Sequence, residues 1–247
     1  MSNDKTPAPR KAYQKPAATR SDSTAIDAFV RHARALAQPT GATDGGRLIL
    51  ALDATMSRQP TWDLACSLQA EMFDAVSRAG GLNVQLVYFR GFGECRASRF
   101  VRDTGSLKEL MVKIDCRGGH TQIGKVLSHT LKETERTKVN ALVYIGDAME
   151  ENVDDLAEKA GRLGLHGVPV FAFQEGHDPV AETAFKEVAR LSKGAWFRFD
   201  RNAASTLSKL LSAVAVYATG GLRALEARGR AEDRLMIEHL KKAGGRG

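Results

Sequence analysis

Apolar and polar positions follow two different periods along the chain. Short, nearly continuous apolar runs such as RLILALD (47–53) and NALVYIGD (140–147) are typical of strands buried on both faces of a sheet. Between such runs, apolar residues recur at intervals of three and four, as in SLKELMVKI (106–114), which indicates helices with one buried face. The predicted strands are 47–53, 82–89, 94–101, 140–147, 168–173 and 195–200. The predicted helices are 25–38, 61–79, 106–114, 121–136, 151–165, 183–192 and 203–218.

The order of these elements predicts an α/β fold of three layers. Strands that alternate with helices form a mostly parallel central sheet, with helices on both of its faces. Only the short segment RGFG joins strands 82–89 and 94–101, which predicts a hairpin and therefore one antiparallel edge strand. The predicted domains are a disordered basic tail at 1–24, a helix and linker at 25–46, the α/β domain at 47–220, and a basic helix or tail at 221–247.

The formal net charge of +7 is concentrated at the two ends of the chain. Five Lys or Arg residues stand against two Asp in 1–24, and seven against four acidic residues in 221–247, so the body between them is close to neutral. Basic ends on such a body favour solubility or loose attachment to an anionic partner, and no nucleic-acid reader motif accompanies them. We therefore do not expect direct nucleic-acid recognition.

Composition also bears on the compartment. No apolar run approaches the roughly 18–20 residues that cross a bilayer, and residues 1–23 lack the apolar segment of a secretory signal. We therefore expect no membrane association and a cytoplasmic location. The three cysteines, Cys66, Cys95 and Cys116, lack the spacing of a metal site or a disulfide framework, so we expect them to be buried free thiols.

The stretch GHTQIGKV (119–126) nearly matches the phosphate-binding loop G-x-x-x-x-G-K-[ST] of nucleotide hydrolases. Such a loop follows a strand, opens a helix and places a hydroxyl after the lysine to bind Mg²⁺. Here the preceding segment has helical periodicity, and Val126 carries no hydroxyl. Lys125 is expected to lie a full turn inside a helix that begins near Thr121. A nucleotide hydrolase is therefore not expected.

A different set of oxygen donors follows the first buried strand. In LDATMSRQ, Asp53, Thr55 and Ser57 are spaced by two, so their oxygens would point the same way from an extended loop. One carboxylate and two hydroxyls suit the hard cations Mg²⁺ and Mn²⁺. The alternative is that Asp53 and its neighbours stabilise the turn or cap the helix that begins at residue 61.

Two further groups are expected at the same edge of the sheet. Thr121 follows a Gly-Gly step and opens a helix, and Asp147 closes the buried strand in YIGDAMEEN. Because ligands of parallel sheets bind at the carboxyl ends of the strands, all three loops are expected to face one crevice. The alternative for Asp147 is a helix N-cap, with Glu150 completing a capping box.

These three segments resemble, in the same order along the chain, the motifs of von Willebrand factor type A (vWA) domains, whose fold is Rossmann-like. DATMS resembles the first motif, the threonine of GGHTQIG the second and the aspartate of YIGD the third. The resemblance implies a metal-ion-dependent adhesion site. Its ligands would be Asp53, Thr55, Ser57, Thr121 and Asp147, and its ion Mg²⁺ (or Mn²⁺). A Glu or Asp of a partner protein would fill one open position on the metal.

The resemblance implies a protein-binding module and not an enzyme, here in a bacterial-type cytoplasm. Two other functions stay open. One is a metal-dependent phosphohydrolase, in which a carboxylate and a metal activate water, although position 55 is Thr where the D-x-D-x-T phosphatase motif has its second Asp. The other is a nucleic-acid-associated accessory protein that binds through its basic tails.

Overall fold

The structure, a computed structural model, describes residues 45–58, 82–102, 114–199 and 204–244. The predicted tail at 1–24, the predicted helices 25–38 and 61–79, nearly all of the predicted helix 106–114, and Cys66 lie outside these described residues.

Six strands form one sheet in the order β3-β2-β1-β4-β5-β6. The strands are β1 (Arg47–Asp53), β2 (Asn83–Arg90), β3 (Glu94–Ala97), β4 (Ala141–Gly146), β5 (Val170–Glu175) and β6 (Ala195–Phe199). All neighbours are parallel except β2 and β3, which are antiparallel. The predicted α/β fold with one antiparallel edge strand is confirmed. After β1 the chain adds β2 and β3 on one side of it, and then returns to add β4, β5 and β6 on the other side. The direction in which strands are added therefore changes between β1 and β4, which is a topological switch point.

Helices cover both faces of this sheet. The described helices are α1 (Ile123–Arg136), α2 (Val153–Leu165), α3 (Pro179–Leu191), α4 (Ala204–Arg228) and α5 (Ala231–Gly244). Side chains of α1, α2 and α3 share one hydrophobic cluster with Ile49 and Ala51 of β1. Side chains of α4 and α5 share the other cluster with Leu48, Leu50 and Leu52. Successive residues of β1 therefore enter opposite cores, which explains why its apolar run is continuous.

Helices α2 and α3 and strand β3 are among the elements whose bounds differ from the predicted ones, each for a local reason. Helix α3 begins at Pro179, four residues before the predicted start, because Asp178 caps it by accepting a hydrogen bond from the Ala181 amide (2.7 Å). Helix α2 begins at Val153 because Asn152 is its N-cap. Strand β3 ends at Ala97 and not at 101, since the hydroxyl of Ser98 accepts the hydrogen bond of the Leu86 amide (3.0 Å) and so interrupts the ladder.

The C-terminal segment is helical as far as the structure describes it. Helix α4 continues to Arg228, past the predicted end at 218, with a kink at Gly221, whose φ is 64°. Helix α5 then places Met236 and Leu240 in the core beside the sheet. The basic segment from 221, predicted as a helix or a tail, is thus helical over its described residues except at residues 229 and 230, where α4 and α5 are separated. No helix in the described part of the chain is long and apolar enough to cross a membrane.

Candidate metal centre

The two predicted aspartate ligands follow neighbouring parallel strands. Strands β1 and β4 pair with Leu52 beside Ile145. Asp53 and Asp147 therefore stand one and two residues beyond these paired positions, at the carboxyl-terminal edge of the sheet. This edge adjoins the topological switch, which is where sheets of this kind bind ligands.

The first predicted motif is held together by direct contacts. Asp53 is completely buried, and its Oδ1 accepts a hydrogen bond from the Thr55 amide (2.8 Å). The hydroxyl oxygens of Thr55 and Ser57 are 3.1 Å apart. The loop is not extended as predicted, because residues 56–58 form a 3₁₀ turn, yet this turn still brings the two hydroxyls together. The alternative role of Asp53 in stabilising the turn is also present, through its bond to the Thr55 amide.

The segment that contains Thr121 is hydrogen-bonded to the loop of the first motif and to the loop that follows Asp147. The Arg117 amide donates to the Ala54 carbonyl (3.0 Å), which connects the segment before Thr121 to the first motif. The Thr121 hydroxyl accepts a hydrogen bond from the Glu150 amide (3.0 Å), and the Thr121 amide donates to the Glu150 carboxylate (3.1 Å). Thr121 does not open the helix as predicted, since α1 begins two residues later, at Ile123. It lies, buried, in the loop just before that helix.

Asp147 is not a helix cap. The side chain of Asn152 caps α2, accepting hydrogen bonds from the amides of Asp154 (2.8 Å) and Asp155 (3.2 Å). The alternative capping box of Asp147 and Glu150 is therefore wrong. Oδ1 of Asp147 is buried and has no hydrogen-bond partner among the described residues. A buried carboxylate oxygen in that condition is costly unless a cation or water satisfies it.

Glu151 is a residue whose role the sequence analysis missed. It lies in the loop after Asp147, and its carboxylate accepts hydrogen bonds from the amides of Ile123 and Gly124 (2.8 Å to Gly124). These amides belong to the first turn of α1, whose own N-cap residue, Gln122, makes no side-chain capping bond. Glu151 thus caps α1 from a neighbouring loop, and no local pattern in the α1 sequence could have indicated this.

Replacing Glu151 with alanine is expected to lower the free energy of unfolding by about 1–2 kcal/mol, because two amides at the start of α1 lose their acceptor. Urea denaturation of the full chain measures this change. The control is Glu158→Ala on α2. The Glu158 carboxylate is exposed, and its ion pair with Arg162 is long at 4.0 Å. Equal stability of the two variants would contradict the capping role.

The β2–β3 hairpin packs against the loop that contains Thr121. A Cβ added to Gly119 would lie 2.0 Å from the Gly91 carbonyl oxygen, so only glycine permits this approach. His120 is exposed, and its Nδ1 lies 2.9 Å from the Glu150 carboxylate. Its ring meets that of Phe92 edge-on, with 5.2 Å between centroids. Phe92 itself is 83% exposed at the tip of the hairpin.

The positive charge of Arg90, a buried arginine at this edge, is offset by neighbouring carboxylates. Arg90 ends β2 and donates hydrogen bonds to the carboxylates of Glu94 (3.1 Å) and Asp115. The bond from Arg90 lowers the pKa of Glu94 below its usual value. Bonds from Arg117 and then from Arg90 lower the pKa of Asp115. Both carboxylates are therefore ionised at neutral pH and offset the charge of Arg90, so this arginine does not strongly oppose a cation at the same edge.

The phosphate-loop pattern has no matching geometry. Lys125 lies in the first turn of α1, not a full turn inside as predicted, because the helix begins later. Its Nζ donates to the Gly93 carbonyl (3.0 Å) and to the Gln122 side-chain oxygen (2.8 Å). Val126 is buried in the core. The lysine thus bonds to protein oxygens at the hairpin, and the position after it offers no metal ligand.

The candidate ligands are all oxygen donors. Among the described residues, no three His, Cys, Asp or Glu side chains are grouped as a metal site. The predicted set is of another kind, with two carboxylates and three hydroxyls, which are the donors that Mg²⁺ and Mn²⁺ prefer. The contacts unite Asp53, Thr55 and Ser57, and they connect Thr121 to the loop of Asp147. Metal binding by the five residues stays a prediction.

Comparison with known proteins shows the class of fold. The sequence matches no protein-family model and no curated protein sequence. Its structure is similar to von Willebrand factor type A from Catenulispora acidiphila (TM-score 0.57, 14% identity), covering 71% of this chain and 43% of that one. It is also similar to the SpRpn10 VWA domain (TM-score 0.55, 13% identity), covering 67% of this chain and 94% of that one.

A third neighbour is the pilus adhesin SpaC from Lactobacillus rhamnosus GG (TM-score 0.57, 10% identity), with 72% of this chain and 30% of that one covered. The chain thus spans less than half the length of two of these three neighbours. The structural neighbours are vWA domains, and the described chain has their fold. At these identities the similarity concerns the fold alone.

Proposed function

We propose that this protein is a metal-dependent protein-binding module. Asp53, Thr55, Ser57, Thr121 and Asp147 would hold one Mg²⁺ or Mn²⁺, and a Glu or Asp of a partner protein would complete its coordination. The observation that carries the proposal is the buried Oδ1 of Asp147, which has no hydrogen-bond partner among the described residues at the edge where the Thr55 and Ser57 hydroxyls touch.

The charges of the donor set support the choice of ion and of partner. Asp53 and Asp147 contribute two negative charges, whereas Thr55, Ser57 and Thr121 contribute neutral hydroxyls. Such oxygen donors favour a hard dication. A bound dication supplies positive charge that attracts an incoming carboxylate, especially where neutral hydroxyls are its direct ligands.

The surrounding residues hold the donors in place. Asp53 fixes the Thr55 backbone, and Glu150 fixes Thr121 through two hydrogen bonds. Glu151 anchors the loop of Asp147 to the start of α1. Donors held by their own hydrogen bonds need little rearrangement on binding, which favours affinity.

We propose binding and not catalysis because the three segments that carry the donors resemble the motifs of vWA domains, and that resemblance implies a protein-binding module. The partner would be met in a bacterial-type cytoplasm, where the free thiol of Cys95 stays reduced. Cys116 is buried as predicted, and Cys95 is half-buried, with a pKa that burial raises.

The experiment is a pull-down with the full chain immobilised, in Mg²⁺ and in chelator. We expect a partner that is retained in Mg²⁺ and eluted by chelator, because its carboxylate needs the metal. Retention that survives chelator but is lost at high salt would contradict the proposal and favour nucleic-acid association through the basic tails. Turnover of p-nitrophenyl phosphate that requires Mg²⁺ or Mn²⁺ and Asp53 would favour the phosphohydrolase instead.

A further inference from the structure

We propose a second binding site, for a small anion that carries at least two phosphate groups, in a cavity of about 610 Å³ beside helix α1. The cavity lies between α1, strand β3 and the first turns of α2. None of the five candidate metal ligands lines it. The inference therefore does not depend on the proposed function. Its volume is within the usual range for small-molecule sites.

Cationic side chains reach the cavity from three separate elements. Lys125 and Lys132 stand seven residues apart on α1, so they lie on one face of that helix, with Ser128 between them. Lys159 contributes from α2 and Arg96 from β3. Because the cations come from different directions, one singly charged anion could not meet them all.

Most of this charge has no counterion in the protein. Among the described residues, no carboxylate lies within ion-pair distance of Lys125, Lys132 or Lys159. The cavity is lined by two carboxylates, Glu151 and Asp155. That of Glu151 is already engaged by two amides of α1. Arg96 is paired with Glu94 outside the cavity lining (3.9 Å), so three unpaired lysines face Asp155 and the engaged Glu151. This excess of positive charge focuses anions into a concave site.

The other lining groups favour phosphate over a nucleobase or an apolar ligand. Lysine ammonium groups are point-charge donors that suit phosphate oxygens. None of the cavity-lining residues is Phe, Tyr or Trp, so there is no aromatic platform on which a base would stack. His129 adds no charge: its Nε2 lies 2.9 Å from the Gln85 side-chain oxygen, and burial lowers its pKa.

The test is calorimetric titration of the full chain with inorganic pyrophosphate at low salt, with chelator present so that no divalent cation takes part. We expect saturable binding that Lys132→Gln/Lys159→Gln weakens by at least about tenfold, since two charge-assisted contacts are lost. Lys209→Gln removes an exposed lysine of α4 outside the cavity and should change the affinity by less than about twofold. Circular dichroism checks that each variant is folded.

Three results would overturn this inference: no saturable binding of pyrophosphate, equal affinity in the double variant and the wild type, or an equal loss in Lys209→Gln. Citrate, a polycarboxylate of comparable charge, serves as the second ligand. Binding of citrate as tight as that of pyrophosphate would contradict the phosphate assignment. The Asp53→Ala variant should bind pyrophosphate like the wild type, which separates failure of this site from failure of the metal site.

Discussion

Replacing Asp53 with alanine is expected to remove the response of this protein to Mg²⁺. Asp53 supplies one of two carboxylates in the proposed donor set, and it also fixes the Thr55 backbone through its Oδ1 (2.8 Å). Loss of both contributions should weaken Mg²⁺ binding by at least about 100-fold, since even residues that only orient metal ligands contribute 10–100-fold. Thermal unfolding measures the effect, because an ion that binds the native state raises the midpoint of unfolding.

Two companion variants separate charge from geometry. Asp53→Asn keeps an oxygen that can accept the Thr55 amide but removes the negative charge, so it too should lose the Mg²⁺ response. Asp154→Ala removes an exposed carboxylate from the first turn of α2 and should respond like the wild type. A Mg²⁺-induced rise in midpoint that persists in Asp53→Ala would rule out this aspartate as a ligand.

Replacing Asp233 with alanine is expected to have the largest effect on stability, a loss of about 3–5 kcal/mol in the free energy of unfolding. Asp233 is completely buried and accepts hydrogen bonds from the Arg228 guanidinium (2.8 Å to Nε) and from the Arg230 amide (2.9 Å). Its loss leaves the Arg228 guanidinium, 18% exposed, with only the Ser212 hydroxyl (2.8 Å) and the more distant Glu232 carboxylate (3.9 Å) as partners. Urea denaturation measures the change.

The matched control lies on the same helix. Glu238→Ala removes an exposed carboxylate that pairs with Lys242 one turn away, and it should unfold at nearly the same urea concentration as the wild type. The double variant Arg228→Ala/Asp233→Ala should be more stable than Asp233→Ala alone, because it removes the buried charge together with its partner. A double variant that is less stable than Asp233→Ala would contradict this account of the ion pair.

The positions of the strands and the class of fold were largely predictable from the sequence. The run LILAL in β1 has no polar position, and both of its faces enter a hydrophobic core. Such a run occurs where helices cover both faces of a sheet, which is why the fold class followed from it. The helix start at Pro179 was misplaced although Asp178 and Pro179 form a recognisable start signal. The apolar periodicity resumes only further along the helix, and the prediction had followed that periodicity alone.

The candidate site was predictable in its residues but not in its supports. The spacing of Asp53, Thr55 and Ser57 indicated oxygens that face one another, and the hydroxyls of the last two are indeed in contact. The pairing of Glu150 with Thr121 and the capping of α1 by Glu151 join residues 27 to 29 positions apart. Contacts of that separation depend on how the strands are ordered in the sheet, and no local pattern encodes them.

The capping of α1 by Glu151 has a consequence for exchange of the ion. The loop of Thr121 and the loop of Asp147 are connected through the Glu151 carboxylate as well as through the bonds between Thr121 and Glu150. Neither loop can therefore move outward without the other. Outward movement of either loop to release a cation would therefore need partial unwinding of the first turn of α1. The Glu151→Ala variant, with that turn loosened, is a natural place to look for faster metal dissociation.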